Sequence, residues 1–233
     1  MHVDLIIPAL NEELSIGDVV RAAKRPPVRQ VIVADNGSSD ATAQCAREAG
    51  AQVVFEPERG YGAACLRALA ALPADTHIVV FADGDGSDDL DDIARLIAPI
   101  VDGTADFVIG SRALGKAEPG ALTLPQRFGN AIAAQWLSRR FGVQTTDLGP
   151  FRAIRRDALD ALNMRDRNYG WTVEMQIKAA RQGLRYREIA VPYKNRIGKS
   201  KVSGTVRGVF GAGYKIIGLL AYYDFIARDG DAR

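Results

Sequence analysis

Residues 78–89 read IVVFADGDGSDD, an apolar run that ends abruptly in four carboxylates. A short continuous apolar run bounded by turn residues is typical of a buried strand, which we predict at residues 78–82. Asp83 and Asp85 then follow the C-terminal end of this strand, where ligands bind in open α/β sheets. Gly84 between them allows a sharp turn and a close approach to a ligand.

The closeness of the two carboxylates points to a cation. Such groups repel each other unless a proton or a cation intervenes, and Mg²⁺ takes carboxylate oxygens together with substrate phosphates. We therefore expect Asp83 and Asp85 to hold Mg²⁺ or Mn²⁺ against a diphosphate. The alternative at this point is an ordinary Asp/Gly turn, in which Asp88 and Asp89 begin a helix and interact with its dipole.

Composition limits the classes of function. The chain has 233 residues, of which 47% are hydrophobic and 25% charged, values that are ordinary for a soluble enzyme. Residues 1–106 carry 8 Lys and Arg against 18 Asp and Glu, whereas residues 107–233 carry 22 against 10. The basic half suits a phosphorylated substrate or anionic lipid. Its cations are dispersed rather than clustered with aromatic residues, which argues against a nucleic-acid partner.

Further apolar runs alternate with helical patterns along the first half of the chain. They predict strands at residues 5–8, 31–34, 53–55 and 107–109. This alternation predicts an α/β fold with a doubly wound, mostly parallel sheet flanked by helices. Beyond Arg112 we expect helices at residues 126–141, 157–162 and 171–182 and a strand at residues 186–191.

The C-terminal segment, residues 206–233, is predicted to be an amphipathic helical tail. Charged residues and glycines interrupt its apolar runs. These runs are too short for a helix that spans a bilayer, but the segment is suited to lie on a bilayer surface. Packing against a partner protein or against the domain is the alternative. With no signal sequence at the N-terminus, we expect a cytoplasmic protein, with peripheral contact to the inner face of the membrane or to a membrane partner.

Two aromatic segments are expected to have structural roles. The Gly60-Tyr61-Gly62 loop lacks the third glycine of a dinucleotide-binding fingerprint, so it predicts a tight turn or a close backbone approach. Tyr169 and Trp171 are expected to pack in the core or at its rim rather than to bind sugar.

Five motifs follow the predicted strands in order. They are PALNE at residues 8–12, DNGSSD at 35–40, DGD at 83–85, GSR at 110–112 and DLGPFR at 147–152. Together they resemble the family 2 glycosyltransferases of the GT-A fold over nearly the whole chain. When RIGKSK at residues 196–201 is added, the chain is most similar to the polyprenyl-phosphate (dolichyl-phosphate) hexose synthases, which transfer mannose or glucose.

The resemblance implies roles for individual residues. It implies that Asp83 and Asp85 bind the metal and that Arg112 and Arg127 bind the acceptor phosphate. It implies a nucleotide-sugar site composed of Pro8, Ala9, Leu10, Asn11, Glu12, Asp35, Gly37, Asp83, Gly84, Asp85, Arg196, Lys199 and Ser200. Residues 1–205 would form the GT-A domain, with a donor-binding half at 1–112 and an acceptor half at 113–205.

The expected function is inverting, metal-dependent transfer of a hexose from a UDP- or GDP-sugar to a polyprenyl phosphate. A positioned phosphate monoester is already an anionic nucleophile, so this reaction needs no strong base. A soluble or saccharide acceptor with a hydroxyl nucleophile would need a carboxylate base, for which Asp147 is the first candidate and Glu174 the second. Asp147 could equally be a turn residue that bonds its own backbone. A non-catalytic nucleotide-binding module is a third hypothesis, disfavoured by the acidic pair.

Overall fold

Seven strands form one sheet in the computed structural model, which describes residues 1–198 and Gly218. They are β1 (Val3–Ala9), β2 (Val28–Asp35), β3 (Gln52–Phe55), β4 (Ile78–Phe81), β5 (Phe107–Ser111), β6 (Arg152–Arg155) and β7 (Tyr186–Ala190). Their order across the sheet is β3-β2-β1-β4-β6-β5-β7. Neighbouring strands are parallel, except that β6 runs antiparallel to both β4 and β5. The expected mostly parallel sheet is confirmed.

Helices cover both faces of the sheet. They are α1 (Ile16–Ala23), α2 (Thr42–Glu48), α3 (Tyr61–Leu69), α4 (Ile93–Val101), α5 (Leu124–Phe141), α6 (Arg156–Leu162) and α7 (Trp171–Arg181). Successive strand side chains point to opposite faces: Leu5 and Ile7 join one buried apolar cluster with residues of α1 and α4, and Ile6 joins another with residues of α3 and α7. Burial on both faces explains why the strands read as continuous apolar runs.

Strand β6 was not predicted from the sequence. Its four residues, RAIR, contain two arginines, so they form no apolar run. The alternative interpretation of Asp88 and Asp89 as a helix start is wrong, because α4 begins at Ile93 after a short 3-10 turn at Leu90–Asp92. The tail at residues 206–233 lies outside the described residues, apart from Gly218. In the part of the chain that is described, no helix is long and apolar enough to cross a membrane.

The strand register brings several loops to one edge of the sheet. The ends of β1 and β2 are level, with Ala9 beside Asp35, and Phe81 at the end of β4 lies beside Arg152 at the start of β6. Because β6 is antiparallel, the loop that precedes it reaches the same edge as the loops that follow β1, β2, β4 and β5. All five predicted motifs therefore meet there.

Candidate functional site

A cavity of about 290 Å³ opens at this edge and contains most of the predicted donor-binding residues. Its lining includes Pro8, Ala9, Leu10, Glu12, Asn36, Arg59, Tyr61, Asp83, Gly84, Asp85, Asn168, Tyr169 and Arg196. We call it the donor cavity. Of the predicted donor-binding residues, Lys199 and Ser200 lie outside the described residues.

Three of the predicted residues do not line the donor cavity. Asn11 accepts a hydrogen bond from the Ser39 amide at 2.8 Å, and Asp35 accepts one from the Ser38 amide at 3.0 Å. Gly37 has a φ of 75°, in the left-handed region that favours glycine. The three residues thus shape the loop after β2 instead of facing the cavity.

Asp85 is buried, and both of its carboxylate oxygens are engaged. One accepts hydrogen bonds from the Ser87 amide at 2.9 Å and the Ser87 hydroxyl at 2.5 Å. The other lies 2.7 Å from the Arg196 guanidinium, which is also 3.7 Å from Glu12. The Ile197 amide donates to the Asp85 carbonyl at 2.8 Å. These contacts bring a cation and two carboxylates together in the donor cavity.

Asp83 lies next to a third carboxylate that was not among the predicted site residues. Asp88 accepts a hydrogen bond from the Asp83 amide at 3.0 Å, so it belongs to the site rather than to a helix start. Burial, with the nearby charges of Asp85 and Asp88, raises the pKa of Asp83 well above its ordinary value. Burial and the charge of Asp85 raise the pKa of Asp88 to about 7.

A divalent cation would suit this crowded set of oxygen ligands, because it would offset both the burial and the mutual repulsion that raise the pKa values of Asp83 and Asp88. Asp83 and Asp85 are the side chains that could hold one. Within residues 1–198 and Gly218, no three acidic, histidine or cysteine side chains form a ready-made metal site. Mg²⁺ commonly needs only one or two carboxylates, since substrate phosphates and water complete its coordination.

Arg112 is held in one orientation by two neighbours. Its Nε and Nη2 atoms donate to the two Asp147 oxygens at 2.8 and 2.6 Å, and its guanidinium carbon lies 5.0 Å from the centre of the Tyr193 ring. Burial alone would raise the pKa of Asp147, but the bonds and charge of Arg112 outweigh it and hold this pKa below its ordinary value. Asp147 is therefore poorly suited to accept a proton and well suited to orient Arg112.

A second cavity of about 950 Å³ adjoins the first, and we call it the acceptor cavity. Its lining includes Arg112, Lys116, Arg127 and Asn130. In the part of the chain that is described, neither Lys116 nor Arg127 forms an ion pair. Asn130 ties α5 to the loop before β6, since its amide donates to the Thr146 carbonyl and accepts from the Leu148 amide, both at 2.8 Å. The cavity thus presents cations to an anionic ligand.

The loop before α7 fixes the start of α3. The carbonyls of Arg167 and Asn168 accept hydrogen bonds from the amides of Ala63 and Gly62 at 2.9 and 3.3 Å. This is the close backbone approach predicted for the Gly60-Tyr61-Gly62 loop. Glu174, the second candidate base, is buried and accepts bonds from loop amides, including that of Asp166 at 2.7 Å. Its contacts indicate a role in holding this loop.

We expect Gly62→Ala to destabilise the fold by about 1–3 kcal/mol, because the added methyl would overlap the Asp166 carbonyl. Chemical denaturation would measure the free energy of unfolding. Gly129→Ala is the matched control, since a methyl on Gly129 in α5 would contact nothing within 4 Å. A Gly62→Ala protein as stable as this control would contradict the close packing described above.

A family model described as Glycosyl transferase family 2 matches residues 4–162. The chain belongs to this family. An uncharacterized glycosyltransferase of Mycobacterium tuberculosis (strain ATCC 25618 / H37Rv) is 38% identical over 228 residues, covering 97% of this chain and 98% of the relative. A dolichyl-phosphate hexose transferase of Haloferax volcanii is 32% identical over 203 residues, covering 85% of each chain.

The glycosyltransferase also matches solved structures. Glucosyl-3-phosphoglycerate synthase from Mycobacterium tuberculosis, solved with Mn²⁺, UDP and phosphoglyceric acid, superimposes with a TM-score of 0.76 at 23% identity. The match covers 97% of this chain and 79% of that one. The predicted GT-A fold and glycosyltransferase class are confirmed.

Sequence reasoning missed several side chains of the glycosyltransferase site, among them Asp88 and Tyr61. The sequence predicts a helix start at Asp88, because the 3-10 turn that precedes α4 carries no distinctive pattern. The sequence marks Tyr61 only as part of a glycine turn, although this turn ends the loop that follows β3, and such loops reach the ligand edge. Trp171 packs in the core as expected, whereas Tyr169 lines both cavities.

Proposed function

We propose that the protein transfers a hexose from a UDP- or GDP-sugar to a polyprenyl phosphate at a membrane surface, with inversion at the anomeric carbon. The observation that carries this proposal is that a donor cavity lined by carboxylates adjoins an acceptor cavity lined by cations. Residues 1–112 would supply most of the donor site and residues 113–205 most of the acceptor site, while Arg196 reaches the donor and Arg112 the acceptor. The similarity to a dolichyl-phosphate hexose transferase supports the choice of acceptor.

The donor cavity suits a nucleoside diphosphate with a divalent metal. Asp85 and Asp83 would hold Mg²⁺ or Mn²⁺, the ions bound with UDP in structurally similar glucosyl-3-phosphoglycerate synthase complexes. Such an ion neutralises the charge that develops on a leaving diphosphate. Arg196, now against Asp85, is near enough to meet the same phosphates.

The acceptor side favours a phosphate over a sugar hydroxyl. Arg112 is oriented by Asp147, and a fixed guanidinium is suited to bidentate binding of phosphate. An oxygen of that phosphate would attack the anomeric carbon as the bond to the donor diphosphate breaks. Neither carboxylate first considered as a base is available for proton abstraction, because Asp147 is bonded to Arg112 and Glu174 to loop amides. A phosphate nucleophile needs no such base.

An exposed apolar stripe on α5 favours a lipid-linked acceptor over a soluble one. Leu124, Phe128 and Ile132 recur at intervals of four residues and are 78%, 70% and 41% exposed. Four-residue spacing places side chains on one face of a helix. Neighbouring residues of the same helix, including Arg127, line the acceptor cavity. A prenyl chain that leaves the cavity along this stripe would enter the membrane.

The test uses the purified full chain with UDP-glucose or GDP-mannose, and Mn²⁺ or Mg²⁺. Radiolabelled sugar transfer would be measured with polyprenyl phosphate in vesicles and, separately, with phosphoglycerate and with free saccharides. We expect metal-dependent transfer to the polyprenyl phosphate. Full activity on a water-soluble acceptor without lipid would overturn the lipid acceptor, and no turnover of any donor would overturn the whole proposal.

We expect Phe128→Ser to lower transfer to polyprenyl phosphate in vesicles by roughly tenfold, through loss of apolar contact with the membrane. Transfer to a short, water-soluble prenyl phosphate should change less than twofold. The matched control is Phe55→Ser, which removes another exposed phenylalanine, on the edge strand β3. Equal losses in the two variants would contradict a lipid contact at α5.

A further inference from the structure

Three side chains line both the donor and the acceptor cavity: Tyr61, Asp83 and Tyr169. The transferred hexose is bonded to the donor diphosphate before the reaction and to the acceptor afterwards, so it lies where the cavities meet. We propose that Tyr61 and Tyr169 form the subsite that selects the hexose. This inference rests on the proposed transfer between the two cavities.

Tyr61 is fixed at the junction from both sides. Its hydroxyl donates a hydrogen bond to Asp83 at 3.2 Å, and its backbone belongs to the first turn of α3. That turn is held by the carbonyls of Arg167 and Asn168. The Tyr61 phenol therefore links the position of a donor-site carboxylate to the loop that precedes α7.

Tyr169 lies on that loop, and the loop is itself braced. The Asp166 carboxylate accepts hydrogen bonds from the amides of Asn168 and Gly170, at 2.7 and 3.0 Å, on either side of Tyr169. Glu174 in α7 accepts a bond from the Asp166 amide. A recognition residue discriminates well only if its surroundings hold it in place. The two tyrosines meet this condition on segments that are bonded to each other.

A pair of tyrosines suits a hexose chemically. Each ring offers an apolar surface for sugar C–H groups, and each hydroxyl can bond sugar hydroxyls. Hexose epimers differ in the direction of one hydroxyl, and sites that bond a hydroxyl discriminate more strongly than purely apolar ones. Asp85 lines only the donor cavity, and Arg127 lines only the acceptor cavity. Because neither residue lies where the two cavities meet, neither is placed to distinguish one hexose epimer from another.

The test measures binding of donors to the full chain by calorimetry in the presence of Mn²⁺. The ligands are UDP-glucose, UDP-galactose and UDP, with GDP-mannose and GDP as the second series. We expect Tyr169→Ala to raise the dissociation constant of the nucleotide sugar by roughly tenfold. The dissociation constant of the free nucleoside diphosphate should rise by less than twofold. Tyr61→Phe should change the ratio of the UDP-glucose and UDP-galactose dissociation constants by at least about fivefold.

Two further variants make the test specific. Tyr169→Phe keeps the ring and should retain most of the affinity that is lost in Tyr169→Ala. Comparison of the two variants distinguishes the contribution of the ring to binding from that of the hydroxyl. Tyr186→Phe removes the hydroxyl of a half-buried tyrosine outside both cavities and should change no ratio of dissociation constants. Thermal unfolding would verify that each variant is folded.

Two results would overturn the subsite. One is an equal loss of affinity for nucleotide sugar and free nucleotide in Tyr169→Ala, and the other is an unchanged epimer ratio in Tyr61→Phe. Binding needs no acceptor, so a wild-type protein that binds donors but ignores polyprenyl phosphate would overturn the proposed acceptor alone. A wild-type protein that binds no nucleotide sugar would overturn both proposals.

Discussion

Asp85→Asn should lower the rate of hexose transfer by about 10³-fold at saturating Mn²⁺. The Asp85 carboxylate is buried, with one oxygen bonded to Ser87 and the other against Arg196. An amide keeps the shape but loses the charge that a divalent cation requires, and it would direct an N–H group at the guanidinium or at Ser87. The loss should therefore appear both in transfer and in the stabilisation of the protein by Mn²⁺ with UDP or GDP.

Steady-state transfer and thermal unfolding with and without Mn²⁺ and nucleotide would measure the two effects. Asp91→Asn is the matched control, because Asp91 lies in the same acidic segment but is exposed and pairs with Arg25. This control should keep wild-type activity. If Asp85→Asn retained more than about a tenth of the wild-type rate, the metal assignment at Asp85 would be wrong.

Arg112→Lys should lower kcat/KM for the acceptor by about 10²-fold while changing the donor KM less than twofold. Lysine keeps the charge but cannot reproduce the two parallel bonds to Asp147 or the stacking on Tyr193. The acceptor phosphate would meet a mobile cation in place of an oriented guanidinium. Orientation of the nucleophile, more than charge, is what the variant removes.

Arg127→Lys provides the comparison for this prediction. Arg127 is exposed on α5 and makes no ion pair with another described residue, so its orientation depends less on the protein. We expect a loss of only about fivefold in acceptor kcat/KM. A loss in Arg112→Lys as small as that in Arg127→Lys would show that charge alone is sufficient, and would argue against the positioning role of Asp147.

The central strands were predictable because they are buried on both faces. Residues such as Ile6 and Val80 leave no polar alternation, and turn residues follow each run directly. Strand β6 could not be predicted in the same way. Arg152 is fully buried, yet the acceptors that make this tolerable are the backbone carbonyls of Leu148, Gly149 and Thr172. Such partners depend on the folded path of the chain, which no local pattern records.

The site residues, too, divide into those that a local sequence pattern locates and those that only the folded structure positions. Asp83 and Asp85 could be located because they directly follow a strand whose end defines the ligand edge. The orientation of Asn11 and Asp35 could not, since each turns toward amides of the loop after β2 that local sequence does not position. Asp147 was ambiguous between base and turn residue. Its partner, Arg112, is 35 positions away, so only the tertiary structure reveals the pairing.

The antiparallel direction of β6 has a consequence for the segment that supplies much of the acceptor cavity. The chain leaves the sheet after Ser111 and rejoins it at Arg152, at adjacent points on one edge. Residues 113–144 therefore form an excursion whose two ends are anchored close together, and it supplies much of the acceptor cavity. A change in the length of this segment would leave both of its anchoring strands in place. Under the proposed function, substitutions in residues 113–144 would therefore alter the acceptor site more than the donor site.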